Sequence, residues 1–195
     1  LGLLLAKLTN LVPEGGIWMN TQRPEWNDAN NALVGKGLSV VTTGYLRRFV
    51  HFLRSLLANF EDPTVVVSAE VASLFHGVRS TLTEHASFLE TGVSNAQRRA
   101  VMDALGNAAS AHRWQIYANG LAGEFVEIST DELGSFLDLA QRHIDHTLEV
   151  NERSDGLYHA YNTLNLEDGQ ARVEHLYEML EGQVAVLSSG LLSPE

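Results

Sequence analysis

Between Leu33 and Phe60 the apolar residues Leu38, Val41, Tyr45, Phe49, Phe52, Leu53, Leu56 and Leu57 recur at three- and four-residue steps. Arg47, Arg48 and Arg54 lie between them, and the pattern predicts a long amphipathic helix. Asp62 followed by Pro63 reads as an N-cap with proline at the first helical position, and Val67, Val71, Leu74, Val78, Leu82 and Phe88 carry a second stripe towards Gly92. Ser94 with Gln97 three residues on is a capping-box pattern. It opens a third helix, with Val101, Leu105, Ala108, Ala109, His112 and Ile116 on one face, that ends at Gly120. Ser129 and Glu132 repeat the pattern ahead of Leu133, Phe136, Leu137, Ala140, Ile144 and Leu148. A last helix is predicted from about Ala171 to Ser188, closed by Gly190 and Pro194. Glu124–Ile128 is the one short strand candidate, and alternating runs and Asn-Gly hairpins are missing elsewhere. The expectation is an all-α chain, residues 1–195 forming a single helical domain of antiparallel hairpins. Such hairpins pack as a bundle or, in larger numbers, close into a toroid.

Charge narrows the partners. Lys and Arg total 13 against 24 Asp and Glu, a net charge of −11, so a phosphate backbone or an anionic membrane is repelled and neither nucleic acid nor membrane is an expected partner. The chain has no cysteine, which removes disulfides, thiolate metal sites and Cys nucleophiles. The apolar run Leu1–Leu8 lacks a basic leader and a small-residue cleavage site, and no stretch approaches the roughly 18 to 20 apolar residues of a membrane span, so a soluble chain is expected. An acidic, Cys-free composition suits cytoplasm and export alike, with the cytoplasm preferred. The absence of an initial Met before an apolar segment reads as a fragment of a longer protein.

Packing does not explain Gly15–Asn31, GGIWMNTQRPEWNDANN, which holds two of the three tryptophans, an Arg, two carboxylates and four Asn. Trp faces with Asn, Gln and Arg donors suit a polyhydroxylated ligand with apolar ring faces, such as a sugar. The plainer alternative is a structured turn in which Asn and Asp cap the next helix and Trp18 and Trp26 plug a core.

Within that segment Trp26-Asn27-Asp28 resembles the W-N-D segment of the (α/α)6-barrel glycoside phosphorylases that act on cellobiose and chitobiose, and more loosely the clan of six-hairpin glycosidases. The resemblance implies that Asp28 is the general acid, with Trp26 and Asn27 as its neighbours, and that the chain is part of an (α/α)6 toroid. It covers about ten residues. The chain is too short for a closed toroid, whose remainder would come from missing sequence or another chain.

Glycosidic cleavage needs a carboxyl that keeps its proton near neutral pH, and Glu25, three residues from Asp28, is a second catalytic candidate, placed to raise that pKa or to bind the sugar. An inverting hydrolase needs a second carboxylate to activate water; a phosphorylase uses inorganic phosphate as co-substrate, needs no other cofactor, and wants basic or hydroxyl donors. Trp18, Arg23, Trp26 and Asn27 are the candidate wall for an oligo- or disaccharide. A second irregular segment, Asn151–Asn165, supplies Glu152 and Asp155 as candidate bases and Tyr158, His159 and Asn162 as candidate sugar contacts, against the alternative of a helix C-cap and an Asp155-Gly156 turn.

His143 and His146 are three apart on the fourth predicted helix, but nothing completes a metal site, so no metal is expected and both read as a solvated face. Arg98, Arg99 and Glu90 read as surface charge mixing. Nucleotide-binding and serine-hydrolase motifs are missing. Two functions remain: a glycoside-cleaving enzyme with Asp28 as its acid, or a non-catalytic helical domain binding a glycan or a protein.

Overall fold

A computed structural model describes the backbone of residues 1–20 and 28–193 and the side chains of 1–20 and 31–193. The element order is α1 (Gly2–Leu8), β1 (Leu11–Val12), β2 (Gly16–Trp18), α2 (Asp28–Leu33), β3 (Gly37–Ser39), α3 (Val40–Ala58), β4 (Thr64–Ser68), α4 (Ala69–Glu84), α5 (Phe88–Thr91), α6 (Asn95–Asn119), β5 (Phe125–Ser129), α7 (Thr130–Val150), β6 (Tyr161–Glu167), β7 (Gln170–His175) and α8 (Leu180–Ser189).

Five of these strands form one antiparallel sheet in the order β1-β2-β3-β6-β7, and β4 with β5 form a second. The chain is therefore mixed α and β, which corrects the all-α expectation and with it the helical-hairpin toroid. The physical reasons are local. Strands β1, β2 and β3 have two or three residues, too few for a period-two pattern to emerge. In β4, Val65, Val66 and Val67 are β-branched and favour extended backbone, so the helix after Pro63 starts only at Ala69, capped by Ser68. The predicted last helix is a strand to His175 and a helix only from Leu180. Strands β6 and β7 are joined by Asp168-Gly169, whose φ values of 49° and 73° are the left-handed pair a two-residue hairpin loop requires.

One device recurs. Ser39, Ser68 and Ser129 each end a strand and cap the following helix, accepting a hydrogen bond from the amide of Thr42, Val71 and Glu132 respectively. Strand thus passes into helix without a loop three times. The predicted Ser94–Gln97 box is present with both of its bonds, opening α6.

The main core joins α1, α3, α4, α6 and α7, with Phe75 and Phe136 edge-to-face at 4.9 Å between centroids. Among the described residues no helix is long and apolar enough to cross a membrane.

His143 belongs to this core, 5% exposed, rather than to a solvated face. Its Nε2–H donates to the Leu82 carbonyl at 2.9 Å, satisfying a free carbonyl at the end of α4. Burial pushes its pKa down from 6.5 to about 4, against the opposing effect of the Leu82 bond. Between those two values the unfolded chain binds a proton that the folded chain does not. The stabilisation from neutral His143 is complete above pH 6.5, falls as the pH drops towards 4, and falls no further below that. The loss approaches about 3 kcal/mol. Urea denaturation of wild type and His143→Gln across this window checks it, with the shallower pH dependence expected for the variant.

Candidate functional site

Strand β2 ends at Trp18, on the rim of a cleft of about 780 Å³, a volume in the range of small-ligand sites. The register Trp18↔Leu38 and the indole Nε1–H, which donates to the Gly35 carbonyl at 3.1 Å, hold the half-buried Trp18 ring in the cleft wall. Met19 and Asn20 follow on the same rim. Ser39 and Thr42, linked at 2.8 Å through their hydroxyls, line it from the start of α3, and Tyr45 lies one turn on. Asn10, at the end of α1, accepts the Asn20 side-chain amide at 2.6 Å, so two amide side chains from different elements meet at the rim. Tyr161, 2% exposed, lies at the base.

The opposite wall comes from α4 and α6, with Val71, Leu74, Ala109, His112 and Arg113. The His112 Nδ1 is 3.0 Å from the Glu70 carbonyl, which can only accept, so Nδ1 carries a proton and donates it there. Glu70 is buried at 2% exposure and receives the Ala122 amide on Oε1. Its Oε2 has no hydrogen-bond partner among the described residues. The Ala122 amide is the chief reason that its carboxyl is held below the ordinary carboxylate range. Among the described residues lining the cleft are the basic side chains Lys7, His112 and Arg113, and no Asp or Glu.

Of the predicted site residues, Trp18 lines this cleft. Arg23, Glu25, Trp26 and Asn27 lie outside the described residues, and of Asp28 the backbone alone is described, as the first residue of α2. The second predicted cluster does not line the cleft. Tyr158 is buried, with its backbone clamped by both ends of the Gln183 amide. Burial first, and Glu152 second, push its phenol pKa up. Glu152 is exposed and bridges to Tyr158. Asp155 is gripped by Arg153, and that bond above all brings its pKa to about 2, too low for an effective proton acceptor near neutral pH.

Asn162 is fully buried and donates to the Gly15 carbonyl and the Asn151 side chain, both at 2.8 Å, while accepting His175 Nδ1–H at 2.8 Å. His159 stacks on His175 at 4.1 Å. Through Asn151, which donates to the Glu14 carbonyl at 2.9 Å, this chain of bonds reaches the Pro13-Glu14-Gly15 turn of the β1–β2 hairpin. There Glu14 pairs with Arg98 and lies 3.4 Å from His146. Arg98 is buried, which corrects its reading as a surface charge. The network fixes the hairpin that delivers Trp18 to the cleft.

Lys7, Asn10, Tyr45, His112 and Arg113 were not legible as site residues. They come from three helices and the turn after α1, far apart in sequence, and no local spacing marks them. No protein-family model matches the chain, and no curated protein matches its sequence.

Proposed function

We propose that the chain carries the acid-bearing part of an enzyme that cleaves a glycosidic bond, with Asp28 protonating the leaving oxygen. The observation that supports this most is the cleft itself. Rings of Trp18 and Tyr45 stand beside neutral hydrogen-bonding groups of Asn10, Asn20, Ser39 and Thr42, the pairing of apolar faces and hydroxyl partners that a sugar offers. The segment holding Trp26-Asn27-Asp28 leaves β2 at this rim and returns to it, since the Gly35 amide donates to the Met19 carbonyl at 2.7 Å. Helical rise and chain reach from Gly35 back through α2 keep the Asp28 backbone within about 20 Å of Met19. In this reading Glu25 raises the acid's pKa, Trp26, Asn27 and Arg23 extend the sugar wall, and the nucleophile is water or inorganic phosphate.

The test is a panel of disaccharides and aryl glycosides, with and without phosphate, analysed for products with wild type and Asp28→Asn. Turnover in the variant is expected to fall by about a hundredfold or more, with melting temperature and sugar affinity unchanged. Equal turnover in the variant ends the Asp28 assignment. Binding of sugars by wild type with no cleavage of any makes the chain a non-catalytic glycan-binding module instead.

A further inference from the structure

The chain carries a net charge of −11, yet the charged side chains among the described residues of the cleft are basic: Lys7 at the end of α1 and Arg113 on α6. On a surface with almost two acids for each base, cations are ordinarily paired. These are not. Lys7, half-buried, makes no side-chain hydrogen bond or ion pair among the described residues, and Arg113 donates there only to the Ser110 hydroxyl, at 3.1 Å. Glu70, whose backbone carbonyl bonds His112, is buried, and its carboxylate receives the Ala122 amide. Cations that no described carboxylate pairs inside a concave site concentrate the field on whatever enters it. The volume of about 780 Å³ and the Trp18 and Tyr45 rings in the same cleft call for more than a small inorganic ion, which would leave the rings unused.

We infer that the cleft takes a sugar bearing a covalently attached anionic group, a uronate carboxylate or a phosphate ester, held by Lys7 and Arg113. This rests on the carbohydrate reading of the cleft but not on Asp28 or on catalysis.

Calorimetric titration with a methyl glucoside, the corresponding methyl glucuronide, glucose 6-phosphate and inorganic phosphate tests it. At least one charged sugar is expected to bind about tenfold more tightly than the neutral glucoside, the worth of one charge-assisted hydrogen bond, and to weaken as salt is raised. The preference between glucuronide and phosphate ester identifies the anion. Lys7→Met and Arg113→Met, which break no ion pair among the described residues, are expected to keep the melting temperature and each lose most of that tenfold preference. Equal binding of neutral and charged sugars, or charged-sugar binding indifferent to both substitutions, overturns the inference and leaves the carbohydrate reading standing. Inorganic phosphate binding as tightly as the sugar phosphate also overturns it. Failure of every sugar, neutral and charged, overturns the carbohydrate reading and this inference together.

Discussion

Replacing Glu14 with Ala is expected to cost about 3 to 5 kcal/mol of folding stability, the penalty for stranding one member of a buried ion pair. The stranded member is Arg98, whose side chain is 7% exposed. Its Nε donates to the Pro13 carbonyl at 2.8 Å and its Nη1 to the Ala171 carbonyl at 3.0 Å. Pro13 follows β1 and Ala171 lies in β7, the two outer strands of the five-stranded sheet. One guanidinium on α6 therefore ties both edges of the sheet to the same helix, and Glu14 is the anion that makes its burial tolerable. The carboxylate also receives the Val93 amide at 3.0 Å, so its removal leaves a second donor unpaired. Denaturant unfolding of Glu14→Ala, Arg98→Met and the double variant measures this. The double variant is expected to lose less than the sum of the singles, because it leaves no unpaired charge. A loss below about 1 kcal/mol in Glu14→Ala, the scale of a surface pair, would refute the role.

The long helices were legible because their signals are local. Ser94 with Gln97 and Ser129 with Glu132 mark real N-caps, Gly120 and Gly190 follow real helix ends, and β5 falls within one residue of the Glu124–Ile128 candidate. The large sheet was not legible because its cohesion is long-range. Strand β3 pairs with β6, more than a hundred residues on, and β6 buries Asn162, a polar residue that blurs any alternation. Asp168-Gly169 is the signal that could have exposed the β6–β7 hairpin, since Asp-Gly serves such a loop as Asn-Gly does. For the site, the irregular composition of Gly15–Asn31 drew attention to Trp18, which does line the cleft. In the polar second segment Asn151, His159 and Asn162 bond inward, so polarity there accompanies a buried network that holds the hairpin. Glu14, the hub of that network, sits at φ 62° in a turn and looks like any surface acid from sequence.

Gly16→Ala is expected to be about as damaging, roughly 3 to 5 kcal/mol, for a different reason. Gly16 has φ 118°, where a side chain is strained whatever the space. Space is also lacking: a Cβ there would lie 2.9 Å from the carbonyl carbon and oxygen of Ser39 and 3.0 Å from the Val40 amide. These are backbone atoms at the point where β3 becomes α3, and the Val40 amide is committed to the Ala160 carbonyl at 3.0 Å, so neither neighbour can turn aside. Relief must come from parting β2 from β3, which shifts Ile17↔Ser39 and, next to it, Trp18↔Leu38 in the cleft wall. The variant is therefore expected to lose stability and, with it, the sugar affinity proposed for this cleft. The same substitution at Gly106, inside α6, meets no atom within 4 Å and is expected to stabilise by up to about 1 kcal/mol through helix propensity. Thermal and denaturant unfolding of the two variants side by side separates the explanations. Opposite signs follow from the backbone contact at Gly16, whereas similar small effects at both positions would mean that β2 can move away from α3 without disturbing the fold.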